Sequence, residues 1–117
     1  MALTVYGIPT CGTVKKARAW LDARGLAYSW VDLRQSPPTA KQIDAWLAAF
    51  DFKPMRNTSG GSYRALGDEK SAWGAAQWRE AFLADAMLLK RPVIERDGAP
   101  VLVGFNAPEP KLVELLS

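Results

Sequence analysis

Cys11 is the single cysteine of the 117-residue chain, and it lies within the stretch Val5 to Lys16. Gly7, Pro9 and Gly12 indicate a loop here, and a helical pattern follows, so Cys11 falls at or just before a helix N-terminus. The unpaired N–H groups and the dipole at such an end favour an anion, and they lower the pKa of a thiol to give the nucleophilic thiolate. Free cysteine is also a common core residue. The residue alone therefore leaves two interpretations open, a reactive thiol and an inert buried one.

The chain contains no histidine, which limits how a nucleophile could be activated. Ser-His-Asp and Cys-His catalysis are excluded, and activation must come from dipoles and cations. One cysteine also excludes an intramolecular disulfide and, without histidine, argues against a zinc cluster. Backbone N–H groups at Gly12, Thr13 and Val14 are placed to hold an anion beside the thiol.

Length and composition indicate one globular domain large enough to bury a core. The formal net charge of +3 gives a mild preference for anionic partners, too small to indicate nucleic acid. The N-terminal stretch MALTVYGIPT lacks the features of a signal peptide, and no stretch approaches the roughly 20 apolar residues of a membrane span. We therefore expect a cytoplasmic protein with no membrane partner.

The elements that must position Cys11 begin with a β-α-β unit. Apolar residues predict a strand over Leu3–Tyr6, a helix from about Val14 to Arg24, and a second strand over Tyr28–Leu33. This order implies that the two strands are parallel neighbours. Thr39 and Gln42 have the spacing of a capping box that opens a second helix. Its apolar stripe, which predicts a core-facing side, comprises Ile43, Trp46, Leu47 and Phe50.

The second half of the chain predicts an irregular stretch, a helical region and a β-hairpin followed by a helix. Residues 51–66 contain Pro54 and a run of small polar residues, which favour a linker slightly over a wall of a site. A helical region broken near Gly74 runs from Asp68 to about Leu89, with Trp78 and Phe82 facing inward. Two short strands then flank a tight turn, and a last helix follows; the strands are Val93–Arg96 and Pro100–Val103, the turn is Asp97-Gly98, and the helix is Pro108–Leu116.

These blocks together resemble the arsenate reductase-like (ArsC/YffB/Spx) family of thioredoxin-fold proteins, and YffB-like members most closely. The resemblance rests on the block from Tyr6 to Ala17, on Asn57-Thr58-Ser59-Gly60 with Tyr63 to Leu66, on Lys90-Arg91-Pro92, and on Asp97-Gly98 with Pro100 to Phe105. It implies an α/β, thioredoxin-like fold with βαβ and ββα halves, a mixed four-stranded sheet and an all-helical insertion. The implied domain is 1–117, with a core of 1–35 and 91–117 and an insertion of 36–90.

The resemblance also implies a monothiol site. Cys11 matches the family nucleophile, and Arg91 matches an arginine that stabilises the thiolate or a bound oxyanion. The Arg91-Pro92 bond is expected to be cis, which places backbone beside the sulfur. The other residues expected to contact substrate or thiol are Thr10, Gly12, Thr13, Lys15, Arg56, Arg64 and Pro92. No metal and no tightly bound cofactor is expected.

Three departures from the family pattern bear on the substrate. Arsenate reductases carry three arginines around the cysteine; Arg91 corresponds to one, Arg56 lies near another, and 104–106 (Gly-Phe-Asn) stands in place of the third. YffB-like proteins usually have arginine where this chain has Ser59, so Arg56 or Arg64 is expected to replace it. Val14 stands where Spx proteins have the second cysteine of a Cys-x-x-Cys redox switch, so that switch is absent here. The chain does not match a phosphatase-type loop either, because it has alanine at the position where that loop has its arginine.

The leading hypothesis is a cytosolic thiol-dependent reductase in which Cys11 attacks an oxidised or oxyanionic substrate. Glutathione is the expected co-substrate, because the chain has no second cysteine to resolve the adduct and because glutathione is anionic. Two alternatives stay open. One is a non-catalytic, Spx-like regulator that binds RNA polymerase or another protein, and the other is a member of the fold whose Cys11 is buried and inert.

Overall fold

A computed structural model describes residues 2–117 of the chain; residue 1 of the expected domain lies outside them. The first half contains strand β1 (Leu3–Gly7), helix α1 (Gly12–Ala23), strand β2 (Tyr28–Asp32) and helices α2 (Ala40–Phe50), α3 (Phe52–Met55) and α4 (Gly61–Ala65). A 3-10 helix (Asp68–Ala72), helix α5 (Ala75–Ala84), a second 3-10 helix (Ala86–Leu88), strands β3 (Val93–Arg96) and β4 (Ala99–Val103), and helix α6 (Glu109–Leu116) follow. Within residues 2–117, every helix is too short or too polar to cross a membrane.

The chain forms two compact units. The first is a sheet unit made of the chain up to Ser36 together with Arg91–Ser117, and the second is a helical unit, Pro37–Lys90. The sheet unit therefore joins sequence from both ends of the chain, and it contains both Cys11 and Arg91.

The sheet unit has four strands in the order β2-β1-β3-β4. Strand β1 pairs parallel to β2 and antiparallel to β3, and β3 pairs antiparallel to β4. The turn between β3 and β4 has positive φ at both Asp97 (53°) and Gly98 (81°), as a type I′ hairpin turn requires. The predicted mixed sheet with βαβ and ββα halves is confirmed.

One apolar layer covers this sheet and orients α1. Leu3, Val5 and Ile94 of the sheet pack with buried residues of α1 and α6. In α1 the predicted inward residues Ala17 and Leu21 are fully buried, because they lie four residues apart on one helix face. The buried members from α6 and the preceding loop are Phe105, Leu112 and Leu116. Helix α1 is thus fixed along most of its length, and its N-terminus follows the loop after β1.

The helical unit begins with the predicted capping box. The Thr39 hydroxyl oxygen accepts a hydrogen bond from the Gln42 N–H (3.1 Å), and the Gln42 side-chain oxygen accepts one from the Thr39 N–H (2.9 Å). Trp46 of α2 and Trp78 and Phe82 of α5 are fully buried, as their helical spacing predicts. This unit therefore has its own core of large aromatic side chains.

The expectation that residues 51–66 are irregular is wrong, since this stretch forms the short helices α3 and α4. Asp51 caps α3 by accepting a hydrogen bond from the Phe52 N–H at 2.7 Å. Pro54 falls within the first turn, where N–H groups have no partner inside the helix, so the missing donor costs nothing. A proline that reads as a breaker in the sequence is therefore compatible with a one-turn helix.

Candidate functional site

Strand pairing brings the two ends of the sequence to one site. The loop after β1 leads to Cys11, while Arg91 and Pro92 lead directly into β3. Because β1 and β3 are antiparallel, with Tyr6 opposite Val93, the end of β1 lies beside the start of β3. Cys11 and Arg91 therefore meet at the same end of the sheet.

Cys11 is the N-cap residue of α1 and is partly exposed. Its backbone is extended (φ −80°, ψ 124°), and its carbonyl accepts a hydrogen bond from the Lys15 N–H at 3.0 Å. The N–H groups of Thr13 and Val14, which have no partner inside the helix, favour the charged form of the sulfur, although the side chain makes no capping hydrogen bond. The side chain thus occupies the position in which a capping oxygen is usually found.

The pKa of the Cys11 thiol lies below its ordinary value as the result of opposing effects. Partial burial raises the pKa, because it disfavours the charged form. Burial is the largest single effect, but the N–H groups of Val14 and Thr13 and the guanidinium of Arg91 together lower the pKa by more than burial raises it. Lys15, which is expected to contact substrate or thiol, is exposed and is not among the groups that lower the pKa.

Arg91 and Pro92 form the second wall of the site. The peptide bond between them is cis, which confirms the expectation drawn from the family resemblance. Pro92 is buried, and its carbonyl accepts a hydrogen bond from the Gly104 N–H at 2.8 Å. Gly104 has a positive φ of 74°, a conformation that glycine adopts without strain. The loop after β4 therefore fixes the backbone next to Arg91.

Gly7 has a positioning role that the sequence reading did not assign. A Cβ at Gly7 would lie 2.7 Å from Cγ2 of Val14 and 3.4 Å from Trp30. The missing side chain lets the first turn of α1 approach the end of β1, and that turn carries the N–H groups that contact Cys11. The sequence signal for this positioning role is a glycine at the end of a strand, just before the loop that carries the cysteine.

The remaining residues expected near the thiol in the sheet unit are exposed. Thr10, Gly12 and Thr13 lie on the surface around Cys11, and a Cβ at Gly12 would meet no atom within 4 Å. The surface at Gly12 is therefore open, and the neighbouring Cys11 is itself partly exposed.

The segment after β4, where the family resemblance leads one to expect a third arginine, carries a buried aromatic residue and an exposed amide. Phe105 is buried and packs edge-on against Trp20, with ring centroids 6.0 Å apart. Asn106, the next residue, is exposed. The position that carries an arginine in arsenate reductases is used here for core packing and a neutral polar side chain.

Arg56 and Arg64 lie in the helical unit, where each has partners. The Arg56 guanidinium lies over the rings of Phe52 (5.8 Å) and Trp78 (5.5 Å). Arg64 donates from Nη1 to the Ser59 carbonyl at 2.8 Å. A guanidinium has five N–H donors, so these contacts leave both able to bind an anion. Their expected contact with substrate or glutathione stays a prediction.

Asn57 organises the loop that the family motif marks. Its side-chain amide donates to the Met87 carbonyl at 3.3 Å, and its side-chain oxygen accepts from the Ser59 hydroxyl at 3.2 Å. A Cβ at Gly60 would lie 2.8 Å from the Asn57 amide nitrogen, so Gly60 leaves room for this arrangement. The Asn-Thr-x-Gly pattern therefore encodes a loop that is held by specific side-chain hydrogen bonds.

The chain is similar in sequence to known proteins. The family model described as "ArsC family" matches residues 6–111. YusI of Bacillus subtilis is 35% identical over 110 residues, which cover 91% of this chain and 92% of YusI. An arsenate reductase of Rhizobium meliloti is 24% identical over 96 residues, covering 80% of this chain and 69% of that protein.

Solved structures show the same relationship. A YffB protein superposes with a TM-score of 0.87 at 32% identity, covering 98% of this chain and 99% of that one. An arsenate reductase (ArsC) related protein of Brucella melitensis gives a TM-score of 0.77 at 37% identity, covering 97% and 92%. Similarity in sequence and in structure thus extends over nearly the whole chain.

Proposed function

The chain belongs to the ArsC family, whose arsenate reductase-like members are thiol-based reductases, and we propose that it is a cytoplasmic monothiol reductase that uses glutathione. In this proposal the Cys11 thiolate attacks an oxidised or oxyanionic substrate. Glutathione acts as a co-substrate that resolves the adduct, and no metal or tightly bound cofactor takes part. The family supports the thiol chemistry, while the glutathione and the substrate class are the proposal's own.

One observation carries the proposal: Cys11 is the N-cap residue of α1, where the backbone N–H groups of Val14 and Thr13 and the nearby Arg91 lower the pKa of its thiol. These donors stabilise the thiolate over the thiol. The sulfur is also partly exposed, so the nucleophile is accessible. The alternative is an inert core cysteine. Such a residue would be buried among apolar groups, and the pKa of its thiol would be raised.

The proposed reaction with an oxyanion proceeds in three steps. The thiolate of Cys11 attacks the central atom and displaces an oxide, which leaves as water after protonation. A glutathione thiolate then attacks the Cys11 sulfur; the electron pair of the bond between sulfur and the central atom stays with that atom, which is reduced. A second glutathione attacks the resulting mixed disulfide, which releases the Cys11 thiolate and glutathione disulfide. Two thiols thus supply two electrons.

An external thiol is required because the 117 residues contain no second cysteine. Glutathione fits this role because it is anionic near neutral pH and the thiol lies beside Arg91. In the proposal Thr10, Gly12, Thr13, Lys15 and Pro92 line the approach to the sulfur. Arg56 and Arg64 supply further positive charge for the bound anion.

The proposal favours an oxidised thiol or another small oxyanion over arsenate as the substrate. Of the three arginines in the arsenate reductase pattern, only one has an unambiguous counterpart in this chain, and that counterpart is Arg91. Each guanidinium provides two parallel donors for an oxyanion, so the missing arginine removes a bidentate contact. Arsenate would be held less firmly during attack.

The experiment combines the pH dependence of thiol alkylation with mass spectrometry after addition of glutathione disulfide. We expect alkylation of Cys11 to follow a pKa below the reference of about 8.5. We also expect one glutathione per chain, attached at Cys11 and removed by added glutathione. The Cys11→Ser variant should show neither signal.

Two outcomes would reject the proposal. An unshifted pKa would show that the N–H groups and Arg91 do not activate the thiol. A shifted pKa without any glutathione adduct would retain a reactive thiol but exclude glutathione as its partner. The Lys16→Met variant, which removes one exposed positive charge from α1, serves as the control for a general effect of charge.

A further inference from the structure

The helical unit contains an open cavity of about 820 Å³. We call it the Trp73 groove and define it by Leu66, Trp73, Glu80, Ala81, Ala84 and Asp85, which line it. Its volume lies within the range of about 300–1,000 Å³ typical of sites for small molecules. All of its lining residues belong to Pro37–Lys90, so it shares no residue with the sheet unit that contains Cys11 and Arg91.

The groove exists because of the residue pattern of α5. The large side chains Trp78 and Phe82 are fully buried in the core of the helical unit. The face of α5 that lines the groove carries Ala81 and Ala84 instead, beside Gln77 and Glu80. These four positions share one side of the helix because they lie at i, i+3, i+4 and i+7. Small side chains on that face leave the space open, so the groove is specified by the sequence.

One wall of the groove is an aromatic ring held in place by the core. Trp73 packs edge-on against the buried Trp78, with ring centroids 5.1 Å apart and an interplanar angle of 70°. Trp73 itself is half-buried. Part of its ring is therefore available to a ligand, and the face of an indole attracts cations.

The charged residues of the groove are both acidic, although the whole chain carries a net charge of +3. Glu80 pairs with Arg79 through one carboxylate oxygen at 3.1 Å, and Asp85 accepts from the Met87 N–H through one oxygen at 2.9 Å. Each carboxylate has a second oxygen for a ligand. The residues that line the groove include no lysine or arginine, and the nearby Lys70 ammonium is engaged by the Leu66 carbonyl, to which it donates at 3.3 Å.

From the apolar floor, the indole wall and the two carboxylates, we propose that the Trp73 groove binds a small amphiphilic cation, an apolar body that carries one ammonium group. The alanine face accommodates the apolar body. The carboxylates of Glu80 and Asp85 and the face of Trp73 provide the contacts that select a positive charge over a negative one.

The test uses three probes with the same eight-carbon tail: octyltrimethylammonium, octyl sulfate and octyl glucoside, each below its micelle concentration. Titration of the isotope-labelled chain by NMR locates binding, and calorimetry measures affinity. We expect saturable binding of the cation with shifts centred on 66, 73 and 76–85, at least about tenfold tighter than the sulfate. Equal affinity for cation and sulfate, or shifts scattered over the surface, would overturn the proposal.

Two variants separate the apolar contact from the charge. Ala81→Leu fills the floor and should weaken binding of both octyltrimethylammonium and octyl glucoside. Glu80→Gln should weaken binding of the cation several-fold and leave that of octyl glucoside unchanged. Leu83→Ala removes an exposed apolar side chain of α5 that does not line the groove, and it should change neither. If Glu80→Gln weakened both ligands equally, or neither, charge selection would be refuted even if Ala81→Leu failed to fold.

Discussion

Arg91 lies close enough to Cys11 to lower the pKa of its thiol, although one residue follows the first strand and the other precedes the third. The antiparallel pairing of β1 with β3 brings these chain segments together. The thiol therefore depends on two sources of stabilisation: a local one, from the first turn of α1, and a distant one, from Arg91.

Removal of the Arg91 side chain should leave the stabilisation of the thiolate by the first turn of α1 intact. We expect Arg91→Met to raise the pKa of Cys11, because the variant loses a positive charge and a side-chain N–H donor that stabilise the thiolate. Rates of alkylation measured across pH give the value directly. Lys16→Met, which removes a charge from the exposed face of α1, should leave the pKa where it is. Equal shifts in both variants would show that net charge, and not the contact with Arg91, controls the thiol.

The lowered pKa of Cys11 also makes folding stability depend on pH. Between the pKa of the folded chain and about 8.5, the unfolded chain binds more protons at this residue, so the free energy of unfolding rises with pH. This contribution is complete above about 8.5 and is lost as the pH falls through the folded pKa. Urea unfolding of the reduced protein at several pH values, with Cys11→Ser subtracted, measures it. A difference that is flat with pH would contradict the prediction.

Gly7→Ala should affect both the fold and the thiol. The new Cβ would lie 2.7 Å from Val14 Cγ2, so the first turn of α1 must shift. We expect a loss of about 1–3 kcal/mol in the free energy of unfolding, typical of overpacking, and a raised pKa of Cys11. Gly12→Ala, whose Cβ meets no atom within 4 Å, is the control for stability.

A double-mutant cycle identifies the contact responsible. In a Val14→Ala background the Cβ at position 7 has room, so Gly7→Ala should cost less there than in the native chain. Equal costs in the two backgrounds would mean that Val14 is not the obstacle.

Neighbouring residues of α5 should differ sharply in their contribution to stability. Phe82 is fully buried, while Leu83 is the exposed large apolar residue of the same helix. Phe82→Ala should cost about 3–5 kcal/mol, because it removes a large buried side chain and leaves a cavity. Leu83→Ala should stay within about 0.5 kcal/mol of the native chain. Denaturant unfolding of the two variants provides the comparison, and similar losses would contradict the assigned core.

Asn57 should contribute to stability through its loop. Asn57→Ala removes the hydrogen bonds to Met87 and Ser59, and we expect a cost of about 1 kcal/mol and faster amide exchange at residues 57–60. Thr58→Ala changes an exposed neighbour and should have little effect. Unchanged exchange in Asn57→Ala would show that the loop is held without this side chain.

Much of the fold could be predicted because it depends on residues close together in sequence. The Thr39–Gln42 capping box, the Asp97-Gly98 turn and the buried face of α1 follow from spacings of one to four residues. The stretch 51–66 could not be predicted in the same way. Whether Pro54 interrupts a helix depends on its position relative to the helix start, and Asp51 sets that start through a cap with positive φ (68°).

The sequence by itself determined that this protein has one thiol, no histidine to activate it, and a helix N-terminus to stabilise its anion. The motif blocks placed Arg91 near that thiol by resemblance. Tertiary structure decided which cations act on the sulfur: Arg91 reaches Cys11, whereas Lys15, four residues away, is exposed and does not lower the pKa. Tertiary structure also decided the role of Gly7, because that role comes from the packing of β1 against α1. Local periodicity and caps are encoded within a few residues, but the direction of a side chain at a site depends on strand register and helix packing across the whole chain.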